Sequence, residues 1–156
     1  MIREPLRYLD DLNTNEEFPC GTFLFAADEI VAFAERFDPQ SFHLDQTLAE
    51  RSYFGTLVAS GVHTQAAAIG LLVRATADVA VVAGGSLHEA RFMAPVLPAT
   101  TYTVSARWIG TRPSAGNPAR GVARVAGEAR DPEGRVVMSF GVTYIVARAP
   151  IHGAKA

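Results

Sequence analysis

The segment "ASGVHTQAAAIGLLVRAT", residues 59–76, constrains the fold more than any other stretch of the chain. Ala66, Ala67, Ala68, Ile69, Leu71, Leu72 and Val73 make it apolar nearly all round, so the pattern predicts a buried helix rather than one lying on a surface. Ser60 or Gly61 is placed to start it. Everything after this helix reads as β. "GGSLHEARFMAPV" (84–96) holds a strand in its middle. "TTYTVSARWIGTRP" (100–113) alternates Tyr102, Val104, Ala106 and Trp108 against Thr103, Ser105 and Arg107. "RGVARVAGEARD" (120–131) and "RVVMSFGVTYIVAR" (135–148) follow, joined by the turn signal "DPEG" at 131–134. The loop "TRPSAGNPARG" (111–121) is expected to be mobile. One apolar helix followed by a long antiparallel meander predicts an α+β domain whose sheet wraps around that helix.

Upstream, "GTFLFAADEIVAFAERFDP" begins with a short alternating run, with Phe23 and Phe25 on one face. It then changes to helical spacing, with Ile30, Val31, Phe33, Ala34 and Phe37 on one stripe and Asp28 as N-cap or first-turn acid. Pro39 ends that helix. The chain is 156 residues long and is read as one domain, with an N-terminal arm over 1–18 and a flexible tail over 149–156 that carries His152. Half the residues are hydrophobic and about a fifth charged, as in a soluble globular protein. No run of eighteen apolar residues is present, so no membrane span is expected, and "MIREPLRYLDDLNTNEE" is too acidic and polar for a secretory signal.

The single cysteine, Cys20 in "FPCGT", has no internal disulfide partner and fits a reducing, cytoplasmic location. It reads as a small residue before a strand. Residues 1–50 carry 3 basic and 11 acidic side chains, and residues 51–156 carry 11 and 5. The two parts are expected to neutralise each other. The sharper alternative gives the scattered arginines 51, 74, 91, 107, 112, 120 and 124 a phosphorylated ligand. No basic run is dense enough to predict nucleic-acid binding. The four histidines are too dispersed for a metal site, and "AGG" at 83–85 lacks the lysine and following helix of a phosphate loop.

"RFDPQSFHLD", residues 36–45, sets Asp38 and His43 five positions apart, with Pro39 between them and Phe37 and Phe42 beside them. An imidazole exchanges protons near neutral pH without perturbation. A carboxylate does so when an apolar wall raises its pKa, and Phe37 and Phe42 are the expected wall. The turn at Pro39 lets side chains five positions apart converge on one site, where two proton-exchanging groups can act together. Asp45 is expected to be an ordinary loop residue.

"FDPQSFHLD", then "TLVASGVHT", then "ARFMAPVLP" together resemble the MaoC-like acyl dehydratases, relatives of the R-specific enoyl-CoA hydratases in the hotdog superfamily. The resemblance covers nearly the whole chain. The family signature is roughly Asp-x-Asn-Pro-x-His. Asp38 and His43 match its ends, while Pro39, Gln40 and Ser41 depart from its middle, as in a subgroup with Asp-Pro-Gln-x-x-His. The resemblance implies a single hotdog: an antiparallel sheet of five or more strands around a central helix. It implies that Asp38 and His43 hold and activate water, and that the Gly61 amide at the helix start polarises the thioester carbonyl. The implied substrate is an enoyl or 3-hydroxyacyl thioester, with coenzyme A as part of the substrate and no cofactor besides. The implied assembly is a homodimer.

Phe42, Ser60 and His63 are candidate pocket residues. Ser60 either caps the helix or orients a site residue, and capping is expected. His63 is expected in the core, bonded to a backbone carbonyl, with the acyl pocket as the alternative. Arg91, ahead of the Phe-x-x-Pro-Val segment, is read as structural. Two other readings stand beside the hydratase: a hotdog thioesterase, against which the Asp/His pair argues, and a non-catalytic acyl-binding subunit.

Overall fold

Ser60 opens the central helix α4, Gly61–Ala75, in the computed structural model of the chain, which describes residues 7–149. Its hydroxyl accepts the Val62 amide at 3.1 Å, as an N-cap serine does. Five strands follow the order β1-β3-β4-β5-β2 in one sheet, with every neighbouring pair antiparallel. They are β1 (Glu17–Phe23), β2 (Val81–Phe92), β3 (Tyr102–Pro113), β4 (Arg120–Arg130) and β5 (Val136–Ala147). α4 packs on β1, β3 and β5. Between them lies the core, where Trp108, Tyr102, Val104, Val125, Val146, Ala68 and Leu72 are fully or almost fully buried. The alternation read in 100–113 is therefore the alternation of core and outer face along β3.

The upstream elements are α1 (Ala27–Phe37), α2 (Ser41–Leu44) and α3 (Gln46–Glu50). Asp28 lies in the first turn of α1, while the neighbouring Glu29 carboxylate takes the Ala26 amide at 2.8 Å. Asp45 is more than a loop residue: its carboxylate caps α3 by accepting the Leu48 amide at 2.8 Å.

Several expectations change. The first strand begins at Glu17 and ends at Phe23, so Phe25 lies beyond it. Gly21, at φ 120°, follows a register shift against β3. Cys20 is the residue spanned by that bulge, and it sits inside the strand rather than before it. Burial raises its thiol pKa to about 11. The loop read over 111–121 shrinks to 114–119, because Thr111, Arg112 and Pro113 extend β3 and Arg120 opens β4.

The arm is structured from Arg7, which pairs with Asp78 through two hydrogen bonds and bridges to Val79. Residues 1–6 and 150–156, and with them most of the expected tail including His152, lie outside the described residues. α4 is apolar all round, yet only Thr64, Ala68 and Leu72 are fully buried, and Val62 and Val73 stay half exposed. The sheet reaches one face of the helix, and α1 packs against it elsewhere without covering Val62 or Val73. No helix among the described residues is long and apolar enough to cross a membrane.

Inside the sheet, the Phe140 ring lies across Gly127 on the neighbouring strand, in the space a β-carbon would need. Gly127→Ala is expected to destabilise the fold by about 1–3 kcal/mol through overpacking. A lower melting temperature with unchanged secondary structure, read by circular dichroism, checks it.

Candidate active site

α1 ends where the residue before a proline resists the helical conformation, and Asp38 follows with φ −157° and ψ 71°. One helical turn, α2, then returns the chain and carries His43 inward, where it is only 5 % exposed. Asp38 Oδ2 and His43 Nε2 come to 3.5 Å. That is long for a hydrogen bond, but it leaves a position beside the pair from which one water oxygen lies about 2.8 Å from both.

Each partner is held from behind. His43 Nδ1 lies 2.6 Å from the Val58 carbonyl, and a carbonyl only accepts, so the neutral ring carries its hydrogen on Nδ1 and presents a lone pair at Nε2. Asp38 takes the Ser60 hydroxyl on Oδ2 at 2.6 Å and the Gln40 side-chain amide on Oδ1 at 2.9 Å. Ser60 thus does both things considered for it, since the same oxygen that caps α4 donates to Asp38.

These donors reverse the expected charge state. The Ser60 hydroxyl, then the Gln40 amide, pull the Asp38 pKa below its ordinary value, against a smaller opposing effect of desolvation. The supposed apolar wall is half missing. Phe37 points outward, 58 % exposed, packed on Phe33 with the Arg36 guanidinium over its ring. Phe42 does adjoin the site, edge-on to the His43 ring. Asp38 is therefore a carboxylate at neutral pH.

Asp38, Gln40, Phe42 and His43 line one mouth of a cavity of about 720 Å³. Its other walls come from Tyr53 and Phe54, from Val58 and Ala59, from Gly61, Val62 and Thr64 at the start of α4, and from the stretch Phe92–Val96. The Gly61 amide is among the first N–H groups of α4, which no intrahelical carbonyl satisfies, and it lies at the positive end of the helix dipole. Asp38, His43, Phe42 and Gly61 thus meet at one cavity, with Ser60 immediately behind.

His63 does not join them. Its ring is sandwiched between Phe25 (3.8 Å between centroids) and Phe33 (4.2 Å, planes 2° apart), and its buried Nδ1 has no hydrogen-bond partner among the described residues. The carbonyl bond expected for it is absent among the described residues, and the ring is held by stacking on its two faces. Among the described residues no arginine lines the cavity either: Arg107, Arg112, Arg120 and Arg124 fall on β3 and β4, and Arg91 on β2. Two features of the site escaped the sequence reading. Gln40 stood out only as a departure from the motif, although a side-chain amide was the functional group to notice. The Val58 carbonyl is backbone and leaves no mark on residue type. No group of three or more His, Cys, Asp or Glu side chains converges among the described residues.

The family model for the MaoC like domain matches residues 7–126. The chain belongs to the MaoC-like family. A MaoC-like dehydratase from Rhodospirillum rubrum superposes on it with a TM-score of 0.84 at 32 % identity, over 93 % of this chain and 99 % of the other. A Mycobacterium tuberculosis protein described as having a double hotdog fold matches with a TM-score of 0.73 at 20 % identity, over 96 % of this chain and 47 % of its own. The five-stranded sheet with α4 against it is that hotdog. The Bacillus subtilis protein YdeM is 30 % identical over 91 residues, 58 % of this chain and 64 % of YdeM. The match therefore spans less than two thirds of that relative. Family and fold together make this a chain of the hotdog hydratase or dehydratase type.

The stacked His63 generates a pH dependence. Burial between the rings lowers its pKa from 6.5, with Glu29 opposing more weakly. Above that value the imidazole is neutral in both folded and unfolded chains. As pH falls, the unfolded chain binds the proton first, so stability is lost from about pH 6.5 down through the lowered folded pKa. His63→Phe, which keeps the stack, is expected to shrink the fall in melting temperature between about pH 7.5 and about pH 5. Scanning calorimetry of both proteins at the two pH values checks this.

Proposed function

We propose that this chain catalyses reversible addition of water to an enoyl thioester, giving the 3-hydroxyacyl thioester, with coenzyme A as the carrier and no further cofactor. The observation that carries the reading is the convergence of Asp38 and His43, each held in a defined charge state or tautomer, on a cavity that also receives the start of α4. A water beside the pair donates one hydrogen to the Asp38 carboxylate and the other to His43 Nε2, which aims an oxygen lone pair into the cavity. As that oxygen bonds to the β-carbon, Nε2 takes the water's proton and the double-bond electrons move onto the thioester oxygen. The Gly61 amide stabilises that oxygen. The imidazolium, stabilised by Asp38, then returns its proton to the α-carbon, so water has been added and the protein is unchanged.

Mutation of the pair tests the reading. Asp38→Asn and His43→Ala are each expected to lower kcat for crotonyl-CoA by about 10²–10⁴-fold, with the double variant little worse than the worse single one. Loss of the conjugated thioester absorbance measures the reaction. Retained activity in both variants would remove the pair from the chemistry. Release of free coenzyme A thiol instead of hydration would favour a thioesterase.

The same reading includes a homodimer in a reducing, cytoplasmic setting. β2 is an edge strand, and Val82 and Leu87 stay exposed on it. Two copies joined edge to edge at β2 would pair these backbones and cover that apolar surface. Light scattering at micromolar concentration is expected to give twice the chain mass, and Leu87→Lys to lower it towards the monomer.

A further inference from the structure

We infer that Phe92 decides whether the site accepts a thioester substituted at its α-carbon, a reading that rests on the hydration chemistry proposed above. Phe92 closes β2, and its ring lies against Gly61. A β-carbon on Gly61 would fall 2.8 to 2.9 Å from three ring carbons, closer than van der Waals contact allows. The missing side chain at the helix start is thus matched to this ring.

Packing on the protein does not account for the rest of the residue. Phe92 is 53 % exposed and lines the cavity that receives Asp38 and His43. Phe42 and Phe54, with ring centroids 5.1 Å apart, line it as well. The open face of Phe92 is therefore available to a ligand.

The position of the ring selects which part of the ligand it meets. With the thioester oxygen on the Gly61 amide, hydrogen-bond and covalent lengths put the substrate's α-carbon within about 6 Å of the Gly61 α-carbon. A ring touching Gly61 borders that carbon. A hydrogen there passes the ring, whereas a methyl group competes with it for space. One methyl in a packed apolar site changes kcat/KM by about 10–200-fold.

The test compares crotonyl-CoA with 2-methylcrotonyl-CoA on the full chain. Wild type is expected to favour the unbranched substrate by about tenfold or more. Phe92→Ala is expected to narrow that ratio about tenfold by gaining on the methylated substrate, and Phe92→Leu to fall between. The residue is half exposed, so both variants should fold. Binding of butyryl-CoA and 2-methylbutyryl-CoA, by calorimetry, reads the same contact without chemistry and should show the same narrowing. Hydration of crotonyl-CoA with an unchanged ratio in Phe92→Ala overturns this inference and leaves the hydratase reading standing. Absent hydration with Phe92-dependent binding selectivity sinks the hydratase reading instead and keeps the role of Phe92 in acyl selection.

Discussion

The hydroxyl of Ser60 joins the first turn of the central helix to the carboxylate of Asp38. Its oxygen accepts from the Val62 amide and its hydrogen goes to Oδ2, so a side chain only 1 % exposed has both halves of its bonding capacity used inside the protein. Leaving such a buried group half satisfied costs about 1–3 kcal/mol, which locks the two bonds together. Asp38 stands on the far end of α1, 22 residues away in sequence, and this bond fixes its distance from α4. The Gly61 amide is one residue from the capping oxygen. The acid group and the amide that would hold a thioester oxygen are therefore positioned by a single atom. The Val58 carbonyl does the corresponding work for His43, from the segment that leads directly into Ser60.

Charge follows from the same geometry. A carboxylate beside a histidine in a half-apolar cleft could be tuned upward to serve as an acid, or downward to serve as a fixed anion. Two donors on Asp38 choose the second, and the carbonyl behind His43 leaves the Nε2 lone pair free on the side of Asp38. In the proposed reaction the division of labour would resemble that of a hydrolase triad, in which the carboxylate steadies the charged form of a ring without itself being protonated.

The helix α4, the four strands after it and the meeting of Asp38 with His43 were legible in the sequence, because period, turn residues and motif spacing are local signals. What was not legible depends on distant partners. β1 was misplaced because Pro19 and Gly21 hide a strand whose bulge only β3 reveals. The aromatic wall failed because a helix stripe does not say which rings turn outward, and Phe37 is the last residue of α1, 58 % exposed. Gln40 reads as a motif mismatch until its amide is seen on Asp38. Phe92 and Gly61 are separated by 31 positions, and each looks ordinary until the ring is found in the space the glycine leaves. The charge imbalance of the two parts does not resolve into pairs. Among the described ion pairs, only Asp10–Arg148 sets an acid of the first fifty residues against a base from the remainder.

That pair has a topological consequence. The Arg148 guanidinium grips Asp10 through two hydrogen bonds, and Arg7, three residues before Asp10, is anchored on Asp78. The described chain thus enters and leaves the domain at one corner, away from the cleft between α2 and α4. A short connector between residues 7 and 149 would therefore suffice to relocate the ends by circular permutation without crossing the cleft.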